Sequence, residues 1–339
     1  MPVIALSPFA AWLAITGLLS CVLTGVFTWY TRSQGMLDLP GERHSHTVPT
    51  PRGGGAGLIS ALILVSLFLD HDSPVMEFWL QCALPGIAAL SLTGWRDDRA
   101  GLSVRLRFFV QLLVGIYVIW YLGFLDLVLG LPPALLAMGY LLWMINLYNF
   151  MDGSNGMAGF QGVFAGCTLS WLFIHAGDAH AALVSALLAA ACLGFLPWNL
   201  GKARVFMGDV ASGPLGLAVA SLVLFGVFSG GLSLAVAWLL MLVFLCDASL
   251  TLLSRAIRRE RWYTPHKQHL YQRLIVRGWS HGRVLALYQA VNLVLVTPAI
   301  AVAVNYPESA MTAASAATLV LGLGWFMVRK KLQCSQPAG

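Results

Sequence analysis

Four carboxylates stand beside glycines and cations at the ends of apolar runs. Asp97 and Asp98 are adjacent in Gly94-Trp-Arg-Asp-Asp-Arg99, and adjacent carboxylates repel unless a divalent cation or nearby arginines compensate. Asp152 lies in Asn146-Leu-Tyr-Asn-Phe-Met-Asp-Gly-Ser-Asn-Gly156, where Asn146, Asn149 and Asp152 recur every third residue and are expected on one side of a helix. Asp209 sits in Phe206-Met-Gly-Asp-Val-Ala-Ser212, between a glycine and a small-residue turn. Carboxylates framed by cations suit phosphoryl transfer. The carboxylates hold a divalent metal, the metal and Arg or Lys neutralise a diphosphate, and positioning supplies most of the catalysis.

Each cluster also has a plainer reading. Arg52 precedes Gly53, Gly54 and Gly55, so bare N–H groups beside a fixed cation could take a phosphate oxygen; a flexible lead into a membrane span explains the same residues. Arg105 and Arg107 could hold a diphosphate or mark the inner end of a span. Asp97 and Asp98 could form a salt-bridged helix end with Arg96 and Arg99, and Asp209 could cap a helix. Phe206 could stack on a base or rest at a membrane interface. His266 and His269, three apart and expected on one helix face, lack a Cys or Glu at zinc spacing. With Arg273 they suit phosphate binding, or a basic amphipathic segment on anionic lipid. His44 and His46 read as solvated loop residues. Singly the clusters decide nothing, but together they place carboxylates and cations at one set of chain ends.

The elements that position them are apolar helices. With 339 residues, 58% hydrophobic and 10% charged, the chain cannot cover a soluble globule and reads as an all-α, polytopic integral membrane protein. Spans are expected near 9–30, 54–70, 76–94, 107–124, 133–150, 157–175, 180–199, 213–230, 232–254, 284–304 and 309–328, about 11 in all. The first has no Lys or Arg before it and is long, unlike a cleaved signal peptide. Loops near 31–53, 95–107, 151–156, 201–212 and 255–283, with the tail from 329, hold all 20 Lys and Arg residues. The opposite links carry Asp70, Asp72, Asp126, Asp178 and Glu308 and no base. The positive-inside rule then puts the N-terminus outside, the C-terminus in the cytoplasm and the active site on the cytoplasmic face of a single catalytic domain, 1–339. The net charge of +6 is dispersed between spans, which argues against nucleic acid and for the lipid bilayer as partner. The six cysteines are too scattered for a disulfide framework or a zinc site.

Pro51-Arg-Gly-Gly-Gly55, Asp97-Asp98 with Gly101-Leu-Ser-Val-Arg105, Asn146-x-x-Asn-x-x-Asp-Gly-x-x-Gly156, Phe206-Met-Gly-Asp209 and a late His266-x-x-His269 loop occur in that order. The set resembles the polyprenyl-phosphate N-acetylhexosamine-1-phosphate transferase superfamily, glycosyltransferase family 4, over most of the chain. The resemblance implies transfer of an amino-sugar 1-phosphate from a UDP-N-acetyl amino sugar to undecaprenyl phosphate, with release of UMP and with Mg²⁺, or Mn²⁺, as cofactor, in a bacterial inner membrane. It implies Asp209 as metal ligand and Asp97 as the acid that activates the lipid phosphate or helps hold metal, with Asp98 as its partner carboxylate. Asn149 and Asp152 match the polar face of the central motif, and Asn199 and Phe206 the surroundings of the uracil. Asn155 stands where the muramoyl-pentapeptide branch has an aspartate, and the consecutive histidines of that branch are missing. Both departures point to the branch that initiates O-antigen and related glycans. A transporter for a lipid phosphate or nucleotide sugar would need midplane polar groups and related halves, and a scaffold would leave the carboxylates without a common purpose. Oligomeric state stays open, a homodimer included.

Overall fold

Long apolar helices form here because a chain in lipid must satisfy its backbone N–H and C=O groups internally. The computed structural model describes residues 6–38, 49–123, 131–261 and 266–334; His44 and His46 lie outside them. In chain order the helices are α1 (Leu6–Ser33), α2 (Gly55–Ser66), α3 (Pro74–Ala100), α4 (Val104–Tyr121), α5 (Leu131–Met151), α6 (Met157–His175), α7 (Ala179–Asn199) and α8 (Asp209–Phe228). They continue as α9 (Leu234–Leu239), α10 (Leu242–Ile257), α11 (Leu270–Val276), α12 (His281–Asn305) and α13 (Ala310–Cys334). A two-residue antiparallel pairing of β1 (Leu37–Asp38) with β2 (Thr50–Pro51) is the only sheet among the described residues.

Nine helices among the described residues are long and apolar enough to cross a membrane, and the protein is a multi-pass membrane protein. The other two expected spans take different forms. Residues 54–70 give α2, of 12 residues, and 232–254 is interrupted at Leu240 and Met241 between α9 and α10. The described residues up to Leu232 form one compact unit and those from Ser233 form another, a division inside the expected single domain.

The first unit is built around α8. Its apolar window is 89% buried within the protein, against 17% for α1 and for α4, which leave most of their surface to lipid. Apolar contact gains little between helices in lipid, so close backbone packing through small residues has to hold them. A Cβ on Gly216 would fall 2.4 Å from the Met144 carbonyl oxygen of α5, and one on Gly94 would fall 2.1 Å from the Asp209 carbonyl oxygen. These two approaches bring the last turn of α3, the end of α5 and the first turn of α8 to one place.

Gly101, at φ +68°, ends α3 by turning the chain, and the Ser103 hydroxyl then accepts the Leu106 N–H to begin α4. The expected loop 95–107 therefore contracts to Gly101–Ser103, and Asp97 and Asp98 ride on the last turn of α3 instead of a loop.

Gly94→Ala is expected to destabilise the first unit by about 1–3 kcal/mol or more, because backbone must move to admit the methyl group. Gly139→Ala in α5, where an added Cβ meets nothing within 4 Å, should stabilise slightly. Thermal unfolding of the two purified variants beside wild type checks both signs.

Candidate active site

The glycines of 53–55 and the loop before α8 form one hydrogen-bonded unit. Gly54 N–H donates to the Phe206 carbonyl at 3.0 Å, Gly55 N–H to Met207 at 3.0 Å, and Phe206 N–H to the Pro51 carbonyl at 2.8 Å. Side chains could not fit in this contact: a Cβ on Gly55 would lie 2.3 Å from the Ala211 Cβ, and one on Gly208 2.4 Å from Asp98 Oδ2. The glycine run thus has a packing role, and it delivers Arg52 to the same end of the bundle. Arg52 pairs with Asp38 at 2.9 Å. Burial works against its charge, but Asp38, then Asp98 and Asp209, more than offset that and hold its pKa above the ordinary arginine value.

Asp98 takes the place expected of Asp209 as helix cap. Its Oδ1 accepts the Asp209 N–H at 3.2 Å and its Oδ2 the Val210 N–H at 3.1 Å, so a carboxylate from α3 closes the positive end of α8. Asp209, as first residue of α8, is left with its own carboxylate available. Asn149 donates to its Oδ1 at 2.7 Å and Arg107 to its Oδ2 at 3.0 Å. The same Arg107 nitrogen reaches Asp97 Oδ2 at 2.7 Å. One guanidinium from α4 therefore bridges carboxylates from α3 and α8, where Arg96 and Arg99 were the expected partners.

Asp152 completes the cluster from just beyond α5. It is half-buried, and the Gly208 N–H donates to it. Burial first, then the charges of Asp209 and Asp98, push its pKa well above the usual carboxylate range. Asn146, expected on the same face, is engaged elsewhere, and its amide donates to Gln111 Oε1 on α4 at 2.9 Å. Of the three, Asn149 and Asp152 reach the acidic cluster.

Asn155 donates to the Gly201 carbonyl at 2.7 Å. Asn199 is buried, accepts the Gly156 N–H at 2.7 Å and donates to the Val205 carbonyl at 2.9 Å. Both asparagines tie the loop after α5 to the loop after α7. Phe206 is half-buried, and Arg105 is exposed with no ion pair among the described residues. Asp38 and Gln111 join the surroundings without being expected there, and Ser212, present in the Asp209 motif but given no role, has its hydroxyl 3.0 Å from the Asn149 amide. For Gln111 a signal exists, since it lies four residues after Arg107 on the same helix face.

The second unit holds His266, His269 and Arg273. The two imidazoles stand 4.8 Å apart, in the stretch leading to α11 and not on its face as expected. His269 N–H donates to Gln272 Oε1 at 3.2 Å, and Arg273 Nε donates to the Gln268 carbonyl at 3.1 Å. Asp247 of α10 fixes the stretch. It accepts Leu270 N–H at 2.7 Å, Tyr271 N–H at 3.3 Å, Tyr288 O–H at 2.6 Å, Trp325 Nε1–H at 3.1 Å and Thr251 O–H at 3.3 Å. Burial, then His269 and Arg255, lower the His266 pKa to about 4, and burial lowers that of His269 also, so both imidazoles are neutral near pH 7.

Residues 80–227 match the family model for Glycosyl transferase family 4. The decaprenyl-phosphate N-acetylglucosaminephosphotransferase of Mycobacterium tuberculosis (strain CDC 1551 / Oshkosh) is 30% identical over 83% of this chain and 80% of its own length. The chain belongs to glycosyl transferase family 4. Two further relatives are the undecaprenyl-phosphate alpha-N-acetylglucosaminyl 1-phosphate transferase of Yersinia pestis and a phospho-N-acetylmuramoyl-pentapeptide-transferase of Synechococcus sp. (strain JA-3-3Ab). The first is 25% identical over 75% of this chain and 73% of its own, the second 30% over 65% and 68%. The family 4 match encloses Asp97, Asp98, Asp152 and Asp209 together with Arg107 and Asn149.

Folding raises the Asp152 pKa, so its contribution to stability is full below the unfolded value and is lost as pH climbs through the folded one. Asp152→Asn should therefore unfold about 2 °C or more above wild type at pH 8, with the two melting together near pH 4. The sign reverses for His266. Between pH 6.5 and about 4 the unfolded chain gains a proton that the folded chain does not, so acidification destabilises. His266→Gln should flatten that part of the melting-temperature profile.

Proposed function

We propose that the protein transfers an N-acetylated amino-sugar 1-phosphate from a UDP-sugar to undecaprenyl phosphate, releasing UMP, as the first membrane step of O-antigen, lipopolysaccharide or a related glycan in a bacterial inner membrane. The observation that carries this reading is the single Arg107 nitrogen shared by Asp97 and Asp209 at 2.7 and 3.0 Å. Carboxylates on three elements, Asp97 and Asp98, Asp152, and Asp209, outnumber the guanidinium groups of Arg52 and Arg107 that face them. A site with surplus carboxylate beside a shared cation suits a ligand that brings a divalent ion and phosphate together.

Among the described residues no three His, Cys, Asp or Glu side chains form a ready-made metal cage. The donors that converge are hard carboxylate oxygens, and Mg²⁺ is commonly held by one or two carboxylates, with water and substrate phosphate completing its shell. Asp209 and Asp97 would hold it, the hard oxygen donors that now converge on Arg107. The bound ion would supply positive charge against the diphosphate. Arg107, displaced from the carboxylates, would turn to the phosphate oxygens, and Arg52 would neutralise a second oxygen. Asn149 holds Asp209 in orientation. Asp98 is committed to the α8 N–H groups and shapes the site by fixing that helix end.

The attacking group is the lipid phosphate, largely dianionic near neutral pH with a second pKa of about 6 as in other phosphomonoesters. It forms the new P–O bond at the sugar-linked phosphorus while the bond to UMP breaks. A strong general base is not required, and Asp97 orients the acceptor. The donor sugar is of the kind used in O-antigen initiation, since Asn155 is neutral and engaged with Gly201.

Purified protein given undecaprenyl phosphate, Mg²⁺ and a panel of UDP-N-acetyl sugars, the muramoyl-pentapeptide donor included, should release UMP with an amino sugar other than the last. No release across the panel would sink the proposal. Asp209→Asn should lose at least about 100-fold in turnover while keeping its fold, and near-normal turnover at equal Mg²⁺ would remove its assignment. Enzyme incubated with labelled UDP-sugar but no lipid should carry no label; a sugar-phosphoryl aspartate would replace direct transfer with a covalent route.

A further inference from the structure

Among the described residues, the second unit carries a buried cation with no ion pair. Arg329, on the last turns of α13, is 4% exposed, and neither of its terminal guanidinium nitrogens has a hydrogen-bond partner. Its neighbours Lys330 and Lys331 are exposed, as expected for cations at the end of a span. Arg329 instead lies over the Trp325 indole, 4.7 Å from the ring centroid. Stacking fixes the plane of the fork and leaves its edge unused.

That edge is set among like charges. Arg273 and Arg258 are the basic groups whose fields reach Arg329. Burial, then Arg258, lowers the pKa of Arg273 itself. The acidic groups nearby are Asp247 and Glu260, and both are committed. Asp247 accepts from five donors, and Glu260 pairs with Arg255 at 2.9 Å while accepting from Gln268 at 2.8 Å. The frame is stiff. Asp247 binds the start of α11 and also the Trp325 N–H, so one carboxylate fixes both the Arg273 helix and the ring that Arg329 stacks on. At the other end of α11, Arg277 donates to the Leu332 carbonyl of α13. A buried, unpaired guanidinium costs several kcal/mol unless an anion satisfies it, and the planar fork matches two oxygens of a phosphate.

We propose that Arg329, with Arg273 and Arg258, forms a phosphate-binding pocket at the end of α13, anchored by Trp325 and Asp247. The ligand is a phosphate group, presented either by an anionic phospholipid headgroup or as free phosphate. The pocket does not depend on the transferase reading, because its readout is binding of phosphate and not turnover.

The test is thermal unfolding of the full chain in nanodiscs of phosphatidylcholine, of phosphatidylcholine with phosphatidylglycerol, and of phosphatidylcholine with added inorganic phosphate. Wild type should be stabilised by one of the phosphate sources, Arg329→Leu should lose that shift, and Arg329→Lys should recover part of it. A shift with phosphatidylglycerol alone assigns the lipid headgroup; a shift with inorganic phosphate assigns the free anion. If Arg329→Leu does not fold, Arg258→Gln and Arg273→Gln carry the comparison, with phosphate binding expected to weaken about tenfold in each. No shift in wild type with either source, or an equal shift in the folded variants, would overturn the pocket.

Discussion

The close approach of α3 to the start of α8 is the constraint on which the first unit depends. Gly94 has no room for a side chain because the Asp209 backbone lies against it, and one turn later Asp98 accepts the first two N–H groups of α8. A helix end in a largely apolar bundle leaves N–H groups that must find acceptors. A carboxylate is the strongest acceptor available, and its charge also suits the positive end of the helix dipole. With Asp98 serving the backbone, the Asp209 carboxylate is relieved of capping and faces Arg107 and Asn149.

Much of this was legible in the sequence, for identifiable reasons. Long apolar runs and one-sided basic loops gave the helical membrane class, because lipid allows few other solutions. The carboxylates were visible because each stands beside glycines or cations at the end of an apolar run. What the sequence hid was pairing across the fold. Arg96 and Arg99 flank Asp97 and Asp98, yet the partner is Arg107 from the next helix; short-range spacing favours near neighbours, while the contraction of the 95–107 loop brings the distant one closer. Asn146 was grouped with Asn149 by period alone, and the partner on α4 that draws it away has no trace in that period. The break at Leu240 and Met241 was also hidden, since the residues around it are as apolar as the rest.

The two units use carboxylates in opposite ways. In the first, the acids cluster, and Asp97 and Asp209 share a single guanidinium nitrogen of Arg107. In the second, Asp247 is saturated by five donors and is a fixed point of architecture, organising the stretch that carries His266 and His269. Burial keeps those imidazoles neutral, which makes them hydrogen-bonding groups and not charges at physiological pH.

The ladder between residues 51–55 and 206–207 also limits how this chain can change. Its hydrogen bonds run in strict register, Pro51 with Phe206, Gly54 with Phe206 and Gly55 with Met207. Inserting or deleting one residue in either strand of contact would slide Asp209 away from Asp98 and spoil both the cap and the Arg107 bridge. Loop length, the usual raw material for new specificity in enzymes, is therefore frozen here. Variation near the cluster has to come from replacing side chains outside the ladder, or from segments not bound into it.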